Sequence, residues 1–124
     1  MQIFNETRTA TLRAAIDRII PPDDFCAGGL DAGVYDFFVR NLTPGGYFPH
    51  LVAEYEAGLD AIEALSRKMY SAAFVELEAG PQDAVLVQFE TEEPGFFRMF
   101  VEQAQEGFYT SPAGFHMVGW KVTG

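Results

Sequence analysis

The chain is poor in the residues that most often carry chemistry. Among 124 residues it has one cysteine, Cys26, and two histidines, His50 and His116. A single thiol forms no intrachain disulfide and leaves the redox compartment unread. Between Phe25 and Ala27, with Asp23 and Asp24 nearby to raise its pKa, Cys26 reads as a small buried or half-buried hydrophobe rather than a nucleophile. The histidines form no His-x-x-x-His pair, and neither follows a glutamate by three positions, so neither a zinc nor a di-iron site is expected. Cys-x-x-Cys-His is absent, and with it covalent c-type haem. Basic residues are also scarce, 8 against 18 acids, for a net charge of −10. Without a basic stripe the chain cannot neutralise phosphates, which excludes nucleic acid, and no polybasic segment suits a membrane surface. No apolar run approaches the roughly 20 residues that span a bilayer, so direct membrane insertion is excluded. Gly-x-Ser-x-Gly, Gly-x-Gly-x-x-Gly and Gly-x-x-x-x-Gly-Lys are all missing, and Ser66, Ser71 and Ser111 have no partner motif. No catalytic, cofactor-binding or metal-binding residue can be named.

Apolar and aromatic residues are abundant: 48% of the chain is hydrophobic, with 12 Phe, 5 Tyr and one Trp. This composition suits one folded domain, residues 1–124, that buries roughly two-thirds of the unfolded chain's surface. Residues 5–20 place Leu12, Ala15, Ile16 and Ile19 at helical spacing, with Asn5 or Thr7 as cap and Pro21-Pro22 as stop. After a loop to Gly29, Asp31 is the expected cap of a second helix reaching Asn41 and burying Val34, Phe37 and Phe38. Residues 49–70 carry Leu51, Tyr55, Leu59, Ile62, Leu65 and Met69 on one face. Gly58 within them costs about 1 kcal/mol relative to alanine, so a neighbour packs closely there or the helix is locally weak. A single turn over 74–78 should break at Gly80, and Pro81 should open a helix over 82–90 with Val85, Leu86 and Phe89 inward. A last helix over 96–106 should present Phe97, Phe100, Val101 and Ala104. Residues 107–124 then form an aromatic, glycine-rich tail without helical period. The reading is an all-α, compact bundle of about five helices with an irregular aromatic C-terminal tail.

Two acidic groups stand out. Glu56, Asp60 and Glu63 share one side of the long helix, and Glu76, Glu78, Asp83, Glu90, Glu92 and Glu93 form an acidic stretch between Lys68 and Arg98. The plain reading of the first is a solvated face with Glu63 and Arg67 paired at i,i+4; the second favours solubility and could steer a basic partner surface. Six aromatics outside the clear helix faces, Tyr47, Phe48, Phe108, Tyr109, Phe115 and Trp120, are open to two roles, core packing and partner contact.

Two stretches resemble a known family. The first is Leu12-Arg13-Ala14-Ala15-Ile16-Asp17-Arg18-Ile19-Ile20-Pro21-Pro22-Asp23-Asp24, followed by Asp31-Ala32-Gly33-Val34-Tyr35-Asp36-Phe37-Phe38. The second is Gly107-Phe108-Tyr109-Thr110-Ser111-Pro112 with Gly119-Trp120-Lys121. In order and spacing they resemble the gluconate 2-dehydrogenase subunit 3 family, with its Ile-Ile-Pro-x-Asp-Asp step and its Gly-Phe-Tyr-x-x-Pro … Gly-Trp-Lys ending. The segment from Ala113 to Val118 is shorter than the family's and lacks its Asn and Arg. The resemblance implies a non-catalytic small subunit of a large FAD-dependent dehydrogenase of the glucose–methanol–choline type, which oxidises a sugar, sugar acid or glycoside. FAD and hydride transfer then belong to the large chain, with an electron-acceptor cytochrome reached through the complex. Candidate contacts to that partner are Phe108, Tyr109, Pro112 and Trp120, with Lys121 as their cation, then Pro22 and Asp23, and then Tyr47 and Phe48. Residues 1–6 carry neither a basic n-region nor an apolar core, so the chain as written reads as cytoplasmic. A periplasmic address follows if it travels with a partner or a leader has been removed. The alternative is an independent small-ligand or metal-binding helical protein, using the acidic helix face or a pocket near His50 and His116.

Overall fold

A computed structural model describes residues 3–22 and 28–111. The apolar periodicities become five helices: α1 (Glu6–Ile19), α2 (Val34–Leu42), α3 (Val52–Tyr70), α4 (Ala79–Glu92) and α5 (Pro94–Tyr109). Two 3-10 turns, Pro49–Leu51 and Phe74–Glu76, lead into α3 and follow it, and no strand occurs among the described residues. The all-α bundle of the sequence reading is thus the fold.

Helix α1 starts where its cap allows. Asn5 Oδ1 accepts from the Arg8 amide at 2.8 Å, and Pro21 and Pro22 follow its end. Thr11, Leu12, Ala15 and Ile16 are its buried face. Helix α2 corrects the expected cap: it begins at Val34, with Gly33 as N-cap at φ 88° and no side-chain cap. Two tight turns precede it, with Ala32 N–H donating to Gly28 O and Val34 N–H to Gly29 O. A left-handed residue is needed to pass from those turns into the helix, and glycine takes that conformation without strain. The long segment over 49–70 is helical as read, except that its first three residues wind as a 3-10 turn.

Helix α4 begins at Ala79, three residues before the expected start, so Gly80 lies in its first turn and does not break it. Pro81 is the third helical residue, where its missing N–H is among those a helix start leaves unbonded; the first intrahelical donor is Gln82, to Glu78 O at 3.0 Å. Helix α5 runs three residues beyond the expected Glu106. Its buried side continues as Phe100, Ala104, Gly107 and Phe108, an unbroken helical period. Thr110 is the C-cap, and its hydroxyl donates to Glu106 O at 2.8 Å and closes the end.

The core lies where α3 meets α1 and α4 and where α5 meets α2 and α4. Its centre is aromatic. The Tyr55 ring is 5.5 Å from Phe38, 5.0 Å from Phe96 and 5.9 Å from Phe100 between centroids. Such edge-to-face contacts add about 0.5–1.5 kcal/mol each beyond area burial. Tyr55 Oη donates to Gln103 Oε1, and burial pushes its phenol well above the usual tyrosine range. Two helical glycines set the closest approaches. A Cβ on Gly58 would sit 2.5 Å from the Phe96 ring, and one on Gly107 would sit 2.8 Å from the Phe37 ring. Close packing therefore accounts for Gly58 in the middle of α3.

Candidate functional site

The candidate contact residues divide on placement. Phe108 and Phe48 are buried, 5% and 9% exposed, and belong to the core cluster. Of the two roles open to these rings the structure shows core packing: Phe108 extends the inner stripe of α5, and Phe48 packs on Phe37 with centroids 6.1 Å apart. Their neighbours face outward, Tyr47 at 90% and Tyr109 at 50% exposed, and Pro22 is exposed. Asp23, Pro112, Trp120 and Lys121 lie outside the described residues, as do Cys26, Phe115 and His116.

Tyr47 is presented by a loop with little freedom. Asn41, buried near the end of α2, donates from Nδ2 to Phe37 O at 2.9 Å and accepts the Tyr47 amide at Oδ1, 3.2 Å. Its carbonyl accepts the Phe48 amide at 2.9 Å. Gly46 lies so close that a Cβ there would come within 2.3 Å of Arg40 O. The loop is thereby folded back on α2. Phe37 is the residue that joins this loop to the end of α5, because it touches Phe48 on one side and Gly107 on the other. The structure thus brings the Tyr47 and Tyr109 segments together on one support. Pro22 sits elsewhere, at the end of α1, where a Gly28 Cβ would lie 2.8 Å from its Cδ and Gly29 N–H donates to Ile20 O at 2.7 Å.

The acidic face of α3 is neutralised by the chain itself. Arg8 reaches across from α1 to Asp60 through Nε and Nη2 at 2.9 and 2.8 Å, and to Glu56 at 3.2 Å. Glu63 accepts Arg67 at 3.0 Å, the pair read from spacing, and also the Phe74 amide at 3.0 Å. The Arg8 guanidinium holds the Asp60 carboxyl below the usual carboxylate range, and Arg18 does the same for Asp83. No group of three or more His, Cys, Asp or Glu among the described residues is placed to hold a metal ion. No helix among them is long and apolar enough to cross a membrane. The Arg8 clamp was invisible in sequence, because 48 and 52 residues separate its partners and no local spacing encodes it.

A feature missed by motif reading lies between α3, the end of α4 and the start of α5. A shallow hollow of about 220 Å³ is lined by Ala57, Gly58, Ala61, Phe89 and Phe96, with Glu54 and Glu93 on it. No sequence signal pointed to it; Gly58 pointed only to the close packing that Phe96 supplies beside it. A second depression, about 300 Å³, lies between α1, α4 and α5 over Ile19, Leu86, Val87, Phe97 and Val101, with the Arg18–Asp83 pair and Glu90 on it.

Residues 6–124 match the family model for gluconate 2-dehydrogenase subunit 3. No curated protein and no solved structure matches the chain.

Proposed function

The chain belongs to the gluconate 2-dehydrogenase subunit 3 family, and on that premise we propose that it is a non-catalytic small subunit that binds, stabilises and assembles a large dehydrogenase chain. The partner is an FAD-dependent enzyme of the glucose–methanol–choline type acting on a sugar, sugar acid or glycoside. Flavin binding and hydride transfer belong to that partner, and this chain holds no cofactor. Its effect is thermodynamic: it binds the folded large chain and not the unfolded one, so it shifts that chain's folding equilibrium by mass action.

The observation that carries the reading is the family match across nearly the whole chain. The surface supports it. Tyr47 and Tyr109, 90% and 50% exposed, are large rings held by a loop and a helix that share Phe37 as support. Exposed, pre-positioned aromatics are characteristic anchors of protein interfaces. With Pro22, Asp23, Pro112, Trp120 and Lys121 they make up the contact set, and an obligate interface of this kind buries on the order of 2,000 Å² or more in total. The test is co-expression with a large flavoenzyme chain of the glucose–methanol–choline type from the same genome. The large chain should be soluble and active with it and aggregated or inactive without it. Equal solubility and activity in its absence would defeat the reading.

A further inference from the structure

Three helices meet at the depression of about 300 Å³, and its floor is apolar. Ile19 comes from α1, Leu86 and Val87 from α4, and Phe97 and Val101 from α5. Leu86 is buried and Ile19, Phe97 and Val101 are half-buried, but Val87 is 63% exposed. Helix α4 is thus apolar on both sides, with Val85, Leu86 and Phe89 toward the core and Val87 away from it. A helix that is apolar all round is ordinarily covered all round.

We propose that the chain fills this groove itself, with Phe115 and Met117 of the segment after α5 seated over Val87. Residues 112–124 follow the described part of the chain, and the family match runs through residue 124. Ser111 is 8% exposed and donates its amide to Phe108 O at 3.1 Å, so the chain leaves α5 against the fold. The lengths agree. Val101 and Phe97 precede Ser111 by about 15 and 21 Å along a helix rising about 1.5 Å per residue. An extended segment covers about 3.3 Å per residue, which takes Phe115 about 13 Å and Met117 about 20 Å from Ser111. The spacings agree as well. Alternate residues of an extended segment share one side about 6.6 Å apart, and Phe97 and Val101 are about one helical turn apart, roughly 6 Å. Charge permits the docking: Glu90 stands on the groove, and residues 112–124 contain Lys121 and no acid. The docking needs no partner. Under the subunit reading it also carries Trp120 and Lys121 toward Pro22, three residues beyond Ile19, and joins these contacts into one surface.

The experiment uses the full chain in isolation, so its failure leaves the subunit reading standing. Val87→Asn and Met117→Asn should each lower the melting midpoint by about 3–5 °C, and the double variant should lose clearly less than the sum. Val75→Asn, at a valine 53% exposed and outside the groove, should move the midpoint by no more than about 1 °C. In a Cys26→Ser background, the Val87→Cys, Met117→Cys pair should close a disulfide within one chain under mild oxidation, and the Tyr47→Cys, Met117→Cys pair should not. Additive losses, a Val87→Asn variant as stable as wild type, or equal closure of both cysteine pairs overturns the docking. A Val87→Asn loss that grows with protein concentration overturns it in favour of a second copy. A Val87→Asn variant of unchanged stability that no longer holds the co-expressed large chain overturns it in favour of that chain.

Discussion

Two aromatic steps, Tyr47-Phe48 and Phe108-Tyr109, look alike in sequence and are built by different means. In each, the phenylalanine is buried and the adjacent tyrosine is exposed. On α5 the split follows from helix geometry, because consecutive residues turn by about 100° and only one can lie on the inner stripe. In the loop after α2 no periodicity applies, and the split is imposed by Asn41, which fixes the Tyr47 and Phe48 amides while Phe48 packs on Phe37. Tyr47 and Tyr109 are therefore not loosely placed rings. They are the outward halves of pairs whose inward halves are core.

The strongest way to break this comparison is to remove an inward ring. Phe108→Ala should destabilise the chain by roughly 3–5 kcal/mol, and Phe48→Ala by less, because a loop relaxes into a cavity more readily than a packed helix. Thermal or denaturant unfolding of the isolated chain reads both; equal losses would mean that the loop is as rigid as the helix. The next effect sharpens the shared support. Gly107→Ala gains about 1 kcal/mol of helix propensity but drives a methyl to 2.8 Å from Phe37, which is 8% exposed and has nowhere to go. Overpacking of that kind costs about 1–3 kcal/mol, so a net loss of up to about 2 kcal/mol is expected. Gly58→Ala meets only the far end of the partly buried Phe96 ring and should cost less than Gly107→Ala in the same measurement.

A smaller effect supplies a baseline remote from both steps. Arg18 bonds Asp83 through Nε and Nη2 at 2.8 and 3.0 Å, tying α1 to α4. The folded-state pKa of Asp83 lies below its ordinary value, so the pair's contribution is complete above the normal carboxylate range and is lost as pH falls through the depressed pKa. With Asp83 half exposed, the pair is worth at most about 1 kcal/mol. Melting curves of wild type and Asp83→Asn should differ slightly near neutrality and converge in acid, whereas Phe108→Ala should remain destabilised at every pH.

Helix positions were legible wherever the apolar period was long: Leu12-Ala15-Ile16, Tyr55-Leu59-Ile62 and Val85-Leu86-Phe89 all face inward as spaced. Punctuation by glycine and proline misled where a helix end decides it. Gly80 and Pro81 sit inside a first turn, where unbonded amides make both tolerable. Gly107 sits inside a last turn because the second helix needs room there. The Asp31 cap failed for a related reason, since Gly33 with two tight turns had already settled the entry to α2. What no spacing could reveal was tertiary: Arg8 neutralising Glu56 and Asp60, and Glu54 of α3 and Glu93 before α5 meeting at one hollow.

The exposed halves of the two steps should have almost no effect on stability and a large one on assembly. Tyr47→Ser and Tyr109→Ser remove rings that are 90% and 50% exposed, so each should shift the isolated chain's stability by no more than about 0.5 kcal/mol. If these rings anchor the large subunit, either change should weaken the complex by 2 kcal/mol or so, the range of an interface hot spot. Size-exclusion chromatography of the co-expressed pair, set beside melting of the isolated variants, reads both quantities on the same proteins. Stability retained with assembly lost assigns the tyrosines to the interface. Stability and assembly both retained would leave the outward rings as bystanders and move the docking surface to the Pro22 end of α1.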